Sequence, residues 1–158
     1  FQFRAEEQQR LIHEMGLGVK FQLGTYEPER FFALAKGHEA EPEGGERCFK
    51  CYRLRLEEAA RAAKAGGFSY FTTTLSISPH KNAQVLNELG KEISDTFGVP
   101  YLYSDFKKKN GYRRSCELST EYHLYRQDYC GCPFSKAEAE ERKRRVQACA
   151  THTKERKS

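Results

Sequence analysis

The chain lacks any apolar run approaching the roughly 20 residues that a membrane-spanning helix needs, and its longest apolar stretches are broken by charge within a few residues. A basic-then-apolar leader of the secretory kind is missing, as are internal repeats and low-complexity blocks. It also lacks an initiating methionine. The sequence opens Phe1-Gln2-Phe3-Arg4, and the pattern from Arg4 to Met15 reads as an amphipathic helix already under way. The expectation is a chain without its natural start, through processing or because it is a fragment. What remains is 158 residues, 38% apolar and 31% charged, enough for one soluble domain with a real core.

Cysteine is well represented, with six residues. The close pairs Cys48/Cys51 and Cys130/Cys132 are too near in sequence for a loop-stapling disulfide framework. Clustered cysteines without an export signal indicate metal or redox work, and the expected setting is a reducing cytoplasm, away from any membrane. The net charge is +5, with basic residues gathered at Lys107–Lys109, at Arg113-Arg114 and from Arg142 to Arg145. Such patches favour a polyanionic partner, against the blander reading of a solvated face.

Periodicity gives an order of elements. Val19 to Leu23 alternates like a strand ending at Gly24. Pro28 opens a helix that runs to about Lys36. Glu41-Pro42-Glu43-Gly44-Gly45 is an acidic loop, and a helix follows from about Glu46 to Lys64. Phe68 to Leu75, aromatic and β-branched, reads as a buried strand. Ser78 and Pro79 fit the cap and first position of a helix whose Val85, Leu89, Ile93 and Phe97 form one stripe. Tyr101 to Tyr103 reads as another strand, Asp105 to Gly111 as a basic loop, and Tyr112 to Leu124 as a helix. A charged helix then runs from Ser135 to about Cys149, with a disordered polar tail. The domain boundaries expected are 1–134 for an α/β catalytic domain and 135–158 for the C-terminal helix and tail. Alternating helices and strands predict a parallel sheet flanked by helices, with function beyond the carboxyl ends of the strands.

Cys48-Phe49-Lys50-Cys51 falls where a loop becomes a helix, so both sulfurs share the first turn and the helix dipole favours thiolates. By itself this spacing admits iron–sulfur, zinc, thiol redox or structural roles. Cys130-Gly131-Cys132 is rarer: a disulfide there closes a small strained ring of the labile kind, and the alternative is a pair of adjacent metal ligands. Cys116 reads as a small core residue, and Cys149 has no assigned role. His80 and Lys81 suit an anion site at a helix N-terminus, or merely flank a good cap. Asp105, Arg126, Asp128 and Tyr129 are candidates to donate a proton or orient a substrate. Phe106, Tyr112, Tyr125 and Tyr129 alternate with basic residues as a base-stacking surface would, or as ordinary core does.

Several ordered blocks together resemble the QueH-type epoxyqueuosine reductases. They are Glu46-Arg47-Cys48-Phe49-Lys50-Cys51-Tyr52-Arg53-Leu54-Arg55-Leu56, Phe71-Thr72-Thr73-Thr74-Leu75, and Ser78-Pro79-His80-Lys81-Asn82. Asp105-Phe106-Lys107-Lys108 with Gly111-Tyr112, and Tyr125-Arg126-Gln127-Asp128-Tyr129-Cys130-Gly131-Cys132, complete the set. The resemblance implies a Rossmann-like nucleotide-hydrolase (HUP-like) fold and reduction of epoxyqueuosine to queuosine at the wobble position of tRNA. It implies a [4Fe-4S] cluster with Cys48 and Cys51 as two ligands. Cys130 and Cys132 would be the redox-active pair or ligands of a second iron or other metal. Asp105, Asp128 or Tyr129 would supply the acid, and an electron donor of unspecified identity the electrons. His80, Lys81, Lys107, Lys108, Arg113 and Arg126 would hold the anticodon backbone. The family's first strand carries further cysteines, whereas no cysteine precedes Cys48 here. The expectation is therefore that the first strand is missing and that the remaining cluster ligands lie upstream of Phe1. Two rivals stand beside this: a zinc-binding RNA module with one four-cysteine structural site, and a thiol–disulfide oxidoreductase acting on proteins.

Overall fold

The structure, a computed structural model, describes residues 1–155, with side-chain surroundings through residue 147. Six α-helices appear among them: α1 (Gln2–Glu14), α2 (Pro28–Ala35), α3 (Glu46–Ala65), α4 (Ala83–Phe97), α5 (Gly111–Glu121) and α6 (Pro133–Glu155), with a 3-10 turn at Thr74–Ile77. The chain divides into two compact units, Phe1–Leu124 and Tyr125–Ser158.

The core of the first unit is built on α3 and α4. Cys48, Tyr52, Leu56, Ala60 and Ala63 recur every three or four residues along α3, so one stripe of that helix is buried. It meets Leu86 and Ile93 of α4 together with Phe71, Val99 and Tyr101. Leu56 and Leu86 are almost wholly excluded from water, each contributing roughly 1.5–3 kcal/mol through burial. Gly90 makes the tightest approach: a Cβ there would fall 2.5 Å from the Tyr101 ring, so only glycine lets the 101 segment lie directly on α4. α2 packs on α3 and is tied to it by Arg30, which bridges Glu27 and Glu58 at 2.9 Å each. α1 buries no side chain fully, and Arg10 reaches from it to the carbonyl of Tyr122 at 3.1 Å.

The expected parallel sheet flanked by helices is not what forms. The described residues are helical and contain no strand; the only β pairing among them is one parallel bridge, Phe71 with Tyr101. The Phe71 N–H donates to the Pro100 carbonyl at 3.1 Å, and the Leu102 N–H donates to the Phe71 carbonyl at 2.9 Å. The ladder ends there for a local reason. Thr73 accepts the Leu75 N–H at 3.2 Å and turns the chain into the 3-10 turn. On the other side, the Ser104 N–H and carbonyl are both taken by the Asn87 amide, at 3.1 and 3.2 Å, leaving nothing for a strand neighbour. Val19 to Leu23, also read as a strand, has no regular structure, and Val19 and Leu23 are exposed.

Helix boundaries follow the caps. α4 starts at Ala83 rather than at Pro79, because Asn82 Oδ1 accepts the N–H groups of Gln84 and Val85 at 3.0 and 3.2 Å. Ser78 instead accepts the His80 N–H within a turn. The buried face of α4 runs through Leu86, Gly90 and Ile93, with Val85, Leu89 and Phe97 at its margin. In the second unit α6 begins at Pro133 and continues to Glu155, beyond the expected end near Cys149; of the polar tail, residues 156–158 lie outside the described residues.

Candidate functional site

Cys48 and Cys51 occupy the first two turns of α3, in the buried stripe of the helix. Each sulfur accepts an N–H: the Gly44 N–H points at Cys48 Sγ at 3.3 Å, and Arg55 Nε at Cys51 Sγ at 3.4 Å.

The loop before α3 is locked to it by groups that sequence reasoning passed over. Glu41 accepts the Arg47 N–H at 2.8 Å, satisfying one of the open donors at the helix start. The buried Arg47 guanidinium turns back to the carbonyls of His38 and Glu39, at 3.2 and 2.8 Å. The His38 ring links Glu41 (Nδ1 to Oε1, 2.5 Å) and Lys50 (Nε2 to Nζ, 2.6 Å). The His38 bond first, and the Arg47 N–H second, hold the Glu41 carboxyl below its ordinary range. A histidine four residues before Pro42 and a glutamate beside it carry no periodic signal; the clue available was that α3 lacks a Ser, Thr, Asp or Asn cap and needs its N–H groups satisfied from elsewhere.

Lys81 is buried and ion-paired with Glu43 of that same loop, with its ammonium 6.0 Å from the Tyr52 ring centroid. It ties the loop before α3 to the turn before α4. His80, beside it, is exposed. Lys107 is half-buried; it faces Asp105 at 2.9 Å and donates to the carbonyls of Ser76 and Lys81 at 3.4 Å each. Lys108 projects into solvent 3.8 Å from Asp105. The loop carrying them closes tightly, since a Cβ at Gly111 would lie 1.8 Å from the Phe106 carbonyl oxygen. Lys109 and Asn110 adopt left-handed backbone conformations there, which cost most residues about 1 kcal/mol or more. Arg113 is exposed on α5 and paired with Glu117 at 3.0 Å.

In the second unit, Cys130 and Cys132 flank Gly131, whose φ of 92° only glycine adopts readily. Both cysteines are half-buried thiols. The Ser135 N–H donates to Cys132 Sγ at 3.4 Å, and the Cys130 N–H donates to Ser135 Oγ at 2.7 Å. This reciprocal pair places Cys132 as the cap of α6, with Pro133 at its first position. Asp128 accepts from Lys143 at 2.8 Å, which is the main reason its carboxyl lies below the usual range and the lysine above it. Arg142 adds a bond to the Asp128 carbonyl at 3.4 Å. Tyr129 lies half-buried beside Cys130, and Arg126 is exposed.

Two thiol pairs therefore stand at helix starts, with N–H donors on the sulfurs of Cys48, Cys51 and Cys132. The family model for "Epoxyqueuosine reductase QueH" matches residues 1–138, and the chain belongs to that family. It is 44% identical over 138 residues to the epoxyqueuosine reductase QueH of Staphylococcus epidermidis, covering 84% of this chain and 58% of that protein. A second relative of the same name, from Streptococcus pyogenes serotype M1, is 44% identical over 136 residues, covering 84% and 53%. A third, from Thermotoga maritima, is 33% identical over 143 residues, covering 90% and 74%. The chain thus spans little more than half the length of the first two relatives. No helix among the described residues is long and apolar enough to cross a membrane.

Proposed function

We propose that this chain is the part of an epoxyqueuosine reductase that reduces epoxyqueuosine to queuosine at the wobble position of tRNA. The observation that carries the reading is the donor arrangement at Cys48 and Cys51, two thiols on adjacent helical turns, each already receiving an N–H. That chemistry fits two corners of a [4Fe-4S] cluster. The fit is partial in number: no group of three or more His, Cys, Asp or Glu gathers among the described residues, so such a cluster needs further ligands beyond this pair. When bound, a cluster supplies single electrons drawn from an external donor, its potential set partly by N–H bonds to the sulfurs.

The overall conversion takes two electrons and two protons: the epoxide becomes an alkene and its oxygen leaves as water. Cys130 and Cys132 can supply that quantity themselves, since oxidation of two thiols to a disulfide releases two electrons and two protons. The ring such a disulfide would close is small and strained, which makes it easy to reduce again. Tyr129 is the acid we favour for the departing oxygen. Asp105, which faces Lys107, and Asp128, paired with Lys143, are the weaker candidates. His80, Lys107, Lys108, Arg113 and Arg126 are proposed to contact the anticodon backbone, and Lys81 to support them from below by holding Glu43.

Anaerobic reconstitution with iron, followed by metal analysis and assay of epoxyqueuosine-containing tRNA, tests the reading. Iron with visible absorption and conversion to queuosine is the expected result. One tightly held zinc, no iron and no conversion would replace it with the structural zinc-module reading.

A further inference from the structure

The side of α4 that meets the segment after Tyr101 is not a plain solvated surface. Asn87, Glu88 and Lys91 lie along it and meet Tyr103, Asp105 and Lys108 across an open cleft of about 370 Å3. That volume falls at the lower end of the ~300–1,000 Å3 typical of ligand sites.

The floor of the cleft is fixed by hydrogen bonding. Both backbone groups of Ser104 are held by the Asn87 amide, at 3.1 and 3.2 Å. The Ser104 hydroxyl is turned inward, 3.3 Å from each of the Thr72 and Ser76 hydroxyls. Tyr103 and Asp105, on either side of Ser104, both line the cleft. The Tyr103 ring is positioned by an edge contact with the buried Tyr101, centroids 5.6 Å apart at 73°. It nevertheless remains 59% exposed. A large aromatic ring so fixed and so open offers a face for stacking.

The charges around it are mixed. Lys91 is exposed and pairs with Asp95 at 3.0 Å, and Lys108 is 78% exposed. Glu88 and Asp105 supply carboxylates on the same cleft. One exposed aromatic face, ammonium groups at the rim and carboxylate acceptors within is the complement of a nucleotide: a planar base, a phosphate, and exocyclic amino donors.

We propose that this cleft binds one nucleotide of single-stranded RNA, with its base stacked on Tyr103 and an adjacent phosphate at Lys91 and Lys108. The inference rests on the tRNA reading above and deepens it: the nucleotide is a neighbour of the modified one in the anticodon loop, held apart from the reacting ring. Glu88 contributes an acceptor for an amino group on the base edge.

The test is equilibrium binding of an anticodon stem-loop to the full chain, followed by fluorescence anisotropy over a range of salt. A second stem-loop carries 2-aminopurine at a loop position flanking the wobble nucleotide. Tyr103→Ala is expected to weaken binding roughly 5- to 100-fold, the span of one lost base stack, and to abolish quenching of the 2-aminopurine. Tyr103→Phe keeps the ring and is expected to bind as the parent does. Lys91→Ala, at an exposed position that cannot disturb the core, is expected to lower the salt slope by roughly 0.7, the value of one single-strand phosphate contact. Should Tyr103→Ala fail to fold, the Lys91→Ala slope decides. Unchanged affinity, quenching and slope while the parent still binds the stem-loop would overturn the subsite and leave the reductase reading intact. No binding of the stem-loop by the parent would overturn both.

Discussion

The two cysteine pairs use the same device, a sulfur at a helix start receiving an N–H, in opposite surroundings. Cys48 and Cys51 are 8% and 9% exposed and lie in the α3 stripe, where Cys48 belongs to the same core cluster as Tyr52 and Leu56. Cys130 and Cys132 stand just before a helix, on a turn hinged at Gly131, and are half-buried. The Cys130 N–H bond to Ser135 and the Ser135 N–H bond to Cys132 both span five residues or fewer. A buried, stiff pair suits atoms that must not move as charge changes. A half-buried turn hinged at glycine suits sulfurs that must approach and separate. On the proposed reading, identical side chains are divided between holding and exchanging by what lies behind them.

Serine substitution makes the sharpest break in this comparison. Cys48→Ser and Cys130→Ser are each expected to lower conversion of epoxyqueuosine tRNA by more than the ~10–100-fold that loss of a supporting partner costs. The two should differ in iron content: Cys48→Ser loses iron and visible absorption on reconstitution, whereas Cys130→Ser retains both. If Cys130→Ser also loses its iron, the pairs are not functionally distinct.

Core truncation comes next. Leu56→Ala, below Cys48 and Tyr52 in the same stripe, should lower stability by about 2–5 kcal/mol, read by urea unfolding. The same variant should speed alkylation of Cys48 and Cys51, seen by peptide mass spectrometry, and leave the rate at Cys130 and Cys132 unchanged. The local turn has a matching test. Ser135→Ala removes the acceptor of the part-buried Cys130 N–H, an expected cost of about 0.5–1.5 kcal/mol, and should raise alkylation at Cys130 and Cys132 alone.

The smallest effect is on acid stability. Glu41 and Asp128 both have carboxyls depressed below their ordinary values of 4.5 and 3.8. A depressed carboxyl contributes stability that is complete above the unfolded value and is lost as pH falls through the folded one. Each bond therefore holds fully at neutral pH and loosens only below about pH 4.5 for Glu41 and 3.8 for Asp128. Glu41→Gln should flatten the acid limb of the melting-temperature profile for the first unit, and Lys143→Met that for α6. A limb unchanged in either variant would remove that carboxylate from the account.

The sequence was legible where periodicity and composition carried the structure. The helices at Glu46 and Pro28 were readable, and the ordered blocks pointed to the family; the α4 stripe was read about one position off, through Val85, Leu89 and Phe97, which lie at the margin of a face buried at Leu86, Gly90 and Ile93. Strands were misread because aromatic and β-branched residues are a necessary sign of sheet and not a sufficient one. In Phe68–Leu75 and Tyr101–Tyr103 the backbone groups that would extend the ladder are claimed by Thr73 and Asn87, side chains whose targets lie up to 17 residues away. The cap of α4 was assigned to Ser78 since Ser-Pro is a strong local signal, yet Asn82 wins by reaching two N–H groups at once. His38, Glu41, Glu43 and Arg55 were missed for a related reason. Their roles come from where a folded loop and helix place them, and no pattern in sequence encodes that.

The buried ion pair between Lys81 and Glu43 has an evolutionary consequence. An ammonium only 4% exposed cannot lose its carboxylate cheaply, because a stranded buried charge costs about 3–5 kcal/mol, whereas exchanging both partners for apolar residues of similar volume is often neutral. Positions 43 and 81 are therefore expected to change together or not at all, although 37 residues separate them in the chain. They form a two-letter word spelled across the loop that leads to Cys48 and the turn that leads to α4, and substitutions tolerated at one depend on which letter the other holds.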